Sequence, residues 1–388
     1  MSSRRPSRRL ELFIDVHPSD ILGLMPAIEI VEGGKIFELA SDWDSLHAQS
    51  TTATPFQSRH WIQLWAKHFS GANSLRTIVI REGQDLVGLF PMVRTNSPWM
   101  ALRPAGVGPS DYLAPLFIDG QSELLANIHD TLSELAKKQV VDLHQVPSDH
   151  PFAEQLSDTA RIEQATCLVL DLPSSFDAYV AGLSKSLRYD VRRLAGKALS
   201  ERGATIEWAT AENANEFADQ FFELHKARWK SRGLPGAFFG KGERFQREWI
   251  AHGVATGAVV MNRLMCDGRS VGSVYAMRHG SVCYFYQAGM DPSASSLSPG
   301  TILVSKMIER AIDTGCTTFD FMRGDEPYKR RWKPTKTRIN YRILLPSQNV
   351  LGKTGIWWNQ TAWRVELKVR ERLEGKSLKP SKASKHNS

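Results

Sequence analysis

The sequence predicts an α/β (α+β) fold of two tandem units, each with a mixed, mainly antiparallel sheet flanked by helices. Strand and helix patterns alternate from about residue 28 to 170, the order restarts after Pro173, and three closely spaced strands follow. A chain of 388 residues is too long for one ordinary hydrophobic core, so we expect two domains. The predicted divisions are a basic tail over 1–27, a first unit over 28–165, a second unit over 166–346, and a basic helix and tail over 347–388.

The first unit is predicted to contain a helix, a hairpin, a second helix and two strands. Trp61, Leu64, Trp65 and Phe69 share one face of the first helix, and a Glu82-Gly83 turn joins the hairpin. The predicted ranges are helices over 57–69 and 121–138 and strands over 77–80, 86–94 and 140–146, with the last strand, over 166–172, beyond the boundary at the start of the second unit.

The second unit begins with a basic helix or helix pair and contains a three-stranded meander. The dipeptides Asp267-Gly268 and His279-Gly280 are suited to the tight turns between the meander strands. Pro299 and Gly300 open the following helix, which ends at Gly315. The predicted helices cover 176–202, 211–231, 243–255 and 299–315, and the strands cover 205–209, 258–266, 270–278, 281–290, 317–321 and 338–345.

Charge is concentrated in the two tails. The net charge is +8, but residues 1–10 carry four Arg and no acid, and residues 351–388 carry nine Lys or Arg against three Glu, which leaves −2 for residues 11–350. A near-neutral body argues against a broad nucleic-acid surface, so we do not expect DNA as a partner.

The four cysteines predict neither a zinc site nor a disulfide framework, because no C-x-x-C pair occurs. They suit small buried hydrophobic positions in a reducing cytoplasm. No apolar run approaches the roughly 18 residues of a membrane span, and the N-terminus lacks a secretory apolar stretch. We therefore expect a soluble, cytoplasmic protein without a metal. The cysteines are Cys167, Cys266, Cys283 and Cys316.

The stretch "QAGMDPSASSLSPGT" (287–301) predicts an anion-binding helix terminus. A strand ends, Ser and Gly residues follow, and a helix begins at Pro299 or Gly300 with free N–H groups and a positive dipole end. An ordinary capped helix with a polar loop is the alternative interpretation.

The stretch "FDFMRGDEPYKRRW" (319–332) follows a buried strand with an unusual density of charge and aromatic rings. Together with "YQAGMD" and "SPGT", this order of elements resembles the GNAT superfamily of N-acyltransferases. It is more closely similar to the cellulose-biosynthesis-associated acetyltransferase family and to the related Fem-type peptidoglycan aminoacyl transferases. The similarity is best over about 166–345 and weaker over 35–165.

The resemblance implies two GNAT-like units, a degenerate one in the first half and the acyltransferase unit in the second, and acetyl-CoA or another acyl-CoA as co-substrate. In such proteins a strand splays from its neighbour, the pantetheine arm pairs with the exposed backbone, and the pyrophosphate lies at the next helix N-terminus. The strict Gln/Arg-x-x-Gly-x-Gly/Ala loop is replaced here by "SLSPGT", so an aminoacyl-tRNA donor of the Fem type stays open. The implied positions are Gln287, Ala288 and Gly289 for pantetheine and Ser296, Ser298, Gly300 and Thr301 for pyrophosphate.

The charged stretch would then lie over the acyl-transfer centre. Aminolysis of a thioester needs a group that takes the amine proton and donors that hold the oxyanion. Asp325 and Glu326 are candidate bases, and Tyr328 is a candidate donor to the leaving thiolate. "YKRRW" resembles the F-K-x-x-F motif of Fem-type enzymes, with Lys329 at its lysine. The alternative is a solvated loop in which the aromatic residues pack. Arg323 and Trp332 are candidates for substrate binding.

Two further segments are candidates for the acceptor side. In the resembled families a basic first helix of this half borders the acceptor groove, and a solvated helix face is the alternative. The loop "VGPSDYLAP" is a candidate floor of that groove. The residues concerned are Arg188, Arg192 and Arg193 on the helix and Asp111 and Tyr112 on the loop.

The C-terminal segment over 354–376 combines three Trp with Lys and Arg, which suits either packing on the body or peripheral contact with the inner face of the cell membrane.

We expect an N-acyltransferase that moves an acyl group from acyl-CoA to an amine, with a free, nucleotide-linked or lipid-linked amino-sugar of exopolysaccharide or cellulose-type biosynthesis as the acceptor. The alternatives are an aminoacyl-tRNA-dependent transferase, the case in which tRNA is a partner, and a non-catalytic, nucleotide-responsive binding module.

Overall fold

A computed structural model describes residues 26–96, 101–201, 203–230, 238, 240–345 and 354. Within these residues the strands form two sheets, a four-stranded antiparallel sheet of order β1-β2-β3-β6 and a ten-stranded mixed sheet of order β4-β5-β7-β14-β8-β13-β12-β11-β10-β9. The strands are β1 Ala27–Glu32, β2 Arg76–Glu82, β3 Asp85–Phe90, β4 Met92–Arg94, β5 Leu102–Pro104, β6 Leu116–Phe117, β7 Val141–Pro147, β8 Arg161–Asp171, β9 Thr205–Trp208, β10 Val259–Cys266, β11 Arg269–His279, β12 Val282–Met290, β13 Thr318–Arg323 and β14 Lys336–Leu345.

Helices cover both faces of the large sheet, which confirms the α+β class. Most strand pairs are antiparallel, and β12–β13 and β5–β7 are parallel. The helices are α1 Ala40–Gln49, α2 Arg59–Trp65, α3 Leu124–Ala136, α4 Pro151–Gln155, α5 Phe176–Gly182, α6 Lys185–Glu201, α7 Ala214–Lys230, α8 Lys241–Thr256, α9 Pro299–Asp313 and α10 Pro327–Arg330. The predicted helix pair near 176–202 is thus two helices, α5 and α6.

The large sheet is continuous across the predicted boundary between residues 165 and 166. Strand β14, from the end of the second unit, lies between β7 and β8 and pairs with both. A strand late in the sequence therefore joins the first half of the chain to the second through backbone hydrogen bonds.

Two hydrophobic cores lie on opposite faces of the second-half strands. One core packs α7 and α8 together with α2 from the first half, and includes Trp61, Phe221 and Tyr275. The other packs α5, α6 and α9 against the opposite face, and includes Ile308 and Phe319. A ligand-binding site can form at the strand edges between these two cores.

Two local predictions are wrong. The predicted strand over 86–94 is two strands in different sheets, because Pro91 cannot donate to a ladder and lies where the chain passes from β3 to β4. Phe69 does not share the buried face of Trp61, Leu64 and Trp65 but is 38% exposed. The helix changes to a π-helix over Ala66–Ser70, which shifts the angular spacing that placed Phe69 on that face.

No helix among the described residues is long and apolar enough to cross a membrane. The predicted C-terminal helix over 354–376 lies outside the described residues apart from Thr354, as do residues 1–25 of the basic tail predicted over 1–27. All four cysteines are buried and unpaired with one another.

Candidate active site

Strands β12 and β13 separate after three residue pairs and leave a wedge between them. Strand β12 continues to Met290 and β13 to Arg323, but their register ends well before either terminus. From Phe285 onward, the edge of β12 that faces β13 is not paired with it. The paired positions are Val282 with Thr318, Cys283 with Phe319, and Tyr284 with Asp320.

The open edge of β12 presents backbone polar groups to the wedge. Asp291 donates its N–H to the carbonyl of Val271 at 3.0 Å, so this is a hydrogen-bonded pair of the antiparallel β11–β12 ladder. Because such pairs alternate, the N–H and C=O groups of Ala288 and Met290 point away from β11 and into the wedge. Arg228 of α7 donates to the Ala288 carbonyl at 3.2 Å.

The three residues predicted to bind pantetheine therefore differ in whether their backbone groups face the wedge. Ala288 has its backbone in the wedge, whereas Gln287 and Gly289 stand opposite Tyr275 and Ser273 in the ladder with β11. Gly289 has a separate reason to be glycine, because an added Cβ would lie 2.9–3.1 Å from side-chain and backbone atoms of α7. A β-bulge at Tyr286 interrupts the same ladder just where the wedge opens.

The N-terminus of α9 lies at the end of this edge. A Cβ on Gly300 would be 3.5 Å from the Met290 methyl group, so the first turn of the helix adjoins the last outward-facing residue of β12. No side chain of the described residues caps α9, and Ser298 adopts a left-handed conformation with φ 50°. The positive helix end at Gly300 is thus not capped by a side chain, as an anion cradle requires, whereas the N–H of Thr301 is donated to the carbonyl of Ser298 at 3.0 Å.

Ser296 lies apart from that cradle. It sits on a short 3₁₀ helix, Pro292–Leu297, and lines a pocket of about 310 Å³ with Arg269 and Asp267 of the β10–β11 hairpin. The structure therefore groups Ser298, Gly300 and Thr301 at the helix start and directs Ser296 toward the hairpin.

A loop from the first half crosses the wedge and contacts both strands. On β12, Tyr286 donates its hydroxyl hydrogen to the carbonyl of Pro109 at 2.7 Å. On β13, Arg323 forms an ion pair with Asp111 and donates to the carbonyl of Gly108 at 3.2 Å. Burial raises the pKa of the Tyr286 phenol well above its usual range, so it is a neutral donor. The predicted floor residue Asp111 is thereby at the wedge.

The turn after β13 is held by Lys329. Its ammonium group is buried and donates to the carbonyls of Arg323 at 2.6 Å and Gly324 at 3.2 Å, and pairs with Glu326 at 2.9 Å. These contacts match the three hydrogens of an ammonium group. Lys329 therefore positions the turn, and its hydrogens are already engaged by the protein.

The other residues of this stretch divide into exposed and buried positions. The Glu326 side chain is 51% exposed, Tyr328 is 37% exposed, and Asp325 pairs with Arg330 at the surface. Trp332 is 3% exposed within the core that α5, α6 and α9 form, and its carbonyl accepts a hydrogen bond from Tyr179 at 2.8 Å. Trp332 is thus a packing residue, while Glu326 and Tyr328 are accessible to solvent.

The basic face of α6 is connected to this stretch. Lys185, Arg188, Arg192 and Arg193 line an open pocket of about 520 Å³ together with Tyr189, whose ring lies 5.2 Å from the Arg193 guanidinium carbon. Arg331 of the charged stretch pairs with Asp190 of the same helix at 3.0 Å. The arginines predicted for the acceptor side therefore share one pocket.

A buried carboxylate at the start of the wedge was missed at the sequence level. Asp320 is 1% exposed, accepts a hydrogen bond from the Tyr112 hydroxyl at 2.9 Å, and pairs with Arg338 of β14 at 2.8 Å. Burial raises the pKa of the Asp320 carboxyl above its usual value, against the opposing effect of Arg338. The sequence signal that could have identified this site is a charged residue, Asp320, between Phe319 and Phe321 of a buried strand. Tyr112, predicted as a floor residue, is fully buried in this network.

Among the described residues, no group of three or more His, Cys, Asp and Glu side chains is arranged to hold a metal ion. The polar groups at the wedge are the backbone amides of Ala288 and Met290, the N-terminus of α9, and the side chains of Arg228 and Arg323. This combination suits an extended anionic ligand with amide groups along its length.

Comparisons with known proteins bear on the fold. Residues 185–330 match the family described as an acetyltransferase (GNAT) domain. A search of curated protein sequences gave no significant match.

Solved structures share the fold at low sequence identity. FemX has a TM-score of 0.57 at 13% identity, over 77% of this chain and 94% of its own. L-PGS from Bacillus licheniformis has a TM-score of 0.54 at 13% identity, over 84% and 97%. The C-terminal domain of a protein described as a lysylphosphatidylglycerol synthetase from Agrobacterium fabrum has 0.52 at 9%, over 79% and 92%. Residues 185–330 are thus similar to acetyltransferase (GNAT) domains, and the chain has a fold similar to that of FemX.

Proposed function

We propose that this protein is an N-acyltransferase that moves an acyl group, most simply acetyl, from acyl-CoA to an amine. The observation that carries the proposal is the wedge between β12 and β13, with the outward-facing amides of Ala288 and Met290 leading to the open helix end at Gly300. GNAT domains use acyl-CoA. The pantetheine amides of that molecule pair with a strand edge, and its pyrophosphate binds at a helix N-terminus.

The chemistry proposed for the wedge is aminolysis of a thioester. The amine nitrogen forms a bond to the carbonyl carbon, the carbon–sulfur bond breaks, and the amine loses a proton while the thiolate gains one. In this proposal Glu326, which is half exposed on the turn that follows β13, accepts the amine proton. Tyr328 on the same turn donates a proton to the departing sulfur. Lys329 contributes by holding this turn.

The proposed acceptor is an amino-sugar that carries phosphate, either nucleotide-linked or lipid-linked. The pocket that Arg188, Arg192 and Arg193 line supports this, because clustered guanidinium groups bind phosphate oxygens through charge-assisted hydrogen bonds. Arg331 bridges to the same helix from the turn of the proposed base. A role in exopolysaccharide or cellulose-type biosynthesis follows from the resemblance of the sequence and belongs to this proposal.

Calorimetry with three separate ligands tests the donor class. We expect saturable binding of acetyl-CoA and of free CoA, and no tighter binding of aminoacyl-tRNA. Release of the CoA thiol should then depend on an added amine, tested with free, nucleotide-linked and lipid-linked amino-sugars. Binding of aminoacyl-tRNA without binding of CoA would replace this proposal with a Fem-like one, and CoA binding without thiol release for any amine would indicate a binding module.

A further inference from the structure

The wedge begins at Asp320, and this residue has three bonding partners there. It is the last residue of β13 that pairs with β12, opposite Tyr284. One carboxylate oxygen accepts the N–H of Met322 at 2.7 Å and the Tyr112 hydroxyl at 2.9 Å. The other accepts from Arg338 at 2.8 Å.

The bond to Met322 accompanies an abrupt change in the strand. Met322 has φ 58°, a left-handed conformation that an unbranched residue other than glycine rarely adopts and that needs support from its surroundings. The register with β8 also shifts between Asp320 and Arg323, so β13 bulges at this point. The carboxylate of Asp320 thus satisfies an amide that the bulge removes from the regular ladder.

The other two partners fix the carboxylate itself. Arg338 lies on β14, also pairs with Asp149 at 2.7 Å, and places its guanidinium carbon 4.7 Å from the centre of the Tyr112 ring. Tyr112 in turn follows Asp111, which holds Arg323 at the far end of the bulge. The network therefore clamps both ends of the bulge, at Asp320 and at Arg323.

We propose that Asp320 is a positioning residue for the donor: held by Tyr112 and Arg338, its carboxylate fixes the bulge at Met322 and so sets the gap between β12 and β13 that the pantetheine arm enters. This inference rests on the proposed function. Asp320 takes no chemical step in this proposal, because it is 1% exposed and its carboxylate is bonded to Met322, Tyr112 and Arg338. Tyr112 thereby gives the first half of the chain a part in donor binding.

The test measures CoA binding by calorimetry and thermal unfolding for a set of variants. Tyr112→Phe removes one hydrogen bond without a change in ring volume, and Asp320→Asn removes the charge that faces Arg338. We expect the Kd for CoA to rise about 5-fold in Tyr112→Phe and about 10-fold or more in Asp320→Asn, the latter equal to about 1.4 kcal/mol. Hydrogen exchange of the amides over 321–324 should accelerate in both variants.

Two matched controls separate positioning from general destabilisation. Asp44→Asn removes the exposed partner of Arg59, which lies outside this network, and should leave the Kd for CoA unchanged. Gly253→Ala forces a Cβ within 2.3 Å of a Val259 methyl group in the α8–β10 contact, so it lowers stability away from the wedge. It should leave the Kd for CoA unchanged in molecules that remain folded.

The outcomes are distinguishable. If the wild-type protein binds CoA and both network variants bind it equally well, or if Gly253→Ala weakens binding as much as they do, the positioning role of Asp320 is wrong while the proposed function stands. If the wild-type protein does not bind CoA at millimolar concentration, both the proposed function and this inference are wrong.

Discussion

Arg323, at the end of β13, forms an ion pair with Asp111, which lies 212 residues earlier on the loop of the first half. Asp111 is 6% exposed and also accepts the backbone N–H of Arg323 at 3.2 Å. The buried Asp111 carboxylate therefore fixes both the backbone N–H and the side chain of Arg323 at the open end of the wedge. The two halves of the chain meet at the site through this pair.

Replacement of Asp111 should impair the site more than replacement of an exposed acid on a neighbouring strand. Asp111→Ala leaves the Arg323 guanidinium and N–H without their acceptor, so we expect a loss of about 1–3 kcal/mol in the free energy of unfolding and a fall of about 10-fold or more in turnover. The control is Asp171→Ala, whose ion pair with Lys336 is exposed and should contribute below about 1 kcal/mol. Equal effects of the two changes in urea unfolding and turnover assays would contradict the assignment.

Gly289 and Gly300 provide a matched pair of glycine substitutions. Gly289→Ala places a Cβ 2.9 Å from the Leu224 Cβ and 3.0–3.1 Å from backbone atoms of α7, so the helix must shift and the thermal midpoint should fall by several degrees. Gly300→Ala meets ordinary contacts and should leave the midpoint unchanged, but its methyl group lies at the helix end where the pyrophosphate is expected. We therefore predict weaker CoA binding for Gly300→Ala in calorimetry, with stability retained. Unchanged CoA affinity in this variant would argue against the cradle.

Lys329 is predicted to act through the turn that it holds. Lys329→Met removes the donors to two buried carbonyls and should lower the free energy of unfolding by about 1–3 kcal/mol, together with turnover. Lys329→Arg should not restore either quantity, because a planar guanidinium cannot place three donors as an ammonium group does. The measurement is urea unfolding beside a turnover assay. Turnover lost at full stability would instead indicate that Lys329 takes part in the chemistry.

Stability should fall in mild acid partly through His150. This residue caps α4, since its Nδ1 accepts the Phe152 N–H at 3.1 Å, and burial lowers its pKa to about 4. The unfolded chain has the ordinary value of about 6.5, so below that pH it binds more protons than the folded chain. The stabilising contribution is complete above about pH 6.5 and is lost as the pH falls toward 4.

His150→Asn tests this window because asparagine keeps a capping acceptor but does not titrate. Between pH 7.5 and 4.5 the variant should lose about 2 kcal/mol less of its unfolding free energy than the wild-type protein. Parallel pH dependences of the two proteins in urea titrations would show that His150 is not responsible.

The local parts of the fold follow from local signals in the sequence. Asp267-Gly268 predicts the tight turn between β10 and β11, and both residues have the positive φ that such a turn requires. The helix predicted from Pro299 begins at that residue. The period of hydrophobic residues and the position of Gly and Pro are sufficient for such elements.

The relationships that build the site are not local, and the sequence pattern could not reveal them. Asp320 has its partners at Tyr112, 208 positions earlier, and at Arg338 on the next strand. The insertion of β14 between β7 and β8 depends on pairing between the two halves, which no local period encodes. The bulge at Tyr286 is a single extra residue in an otherwise regular strand. Each of these features is set by tertiary contacts.

The central claim is tested most directly by a crystal structure of the protein with CoA. The account predicts the pantetheine arm in the wedge, bonded to the backbone of Ala288 and Met290, with the pyrophosphate against the amide of Gly300 at the start of α9 and with Arg228 displaced from the Ala288 carbonyl. A structure in which CoA is bound elsewhere, while β12 and β13 remain as they are here, would contradict it.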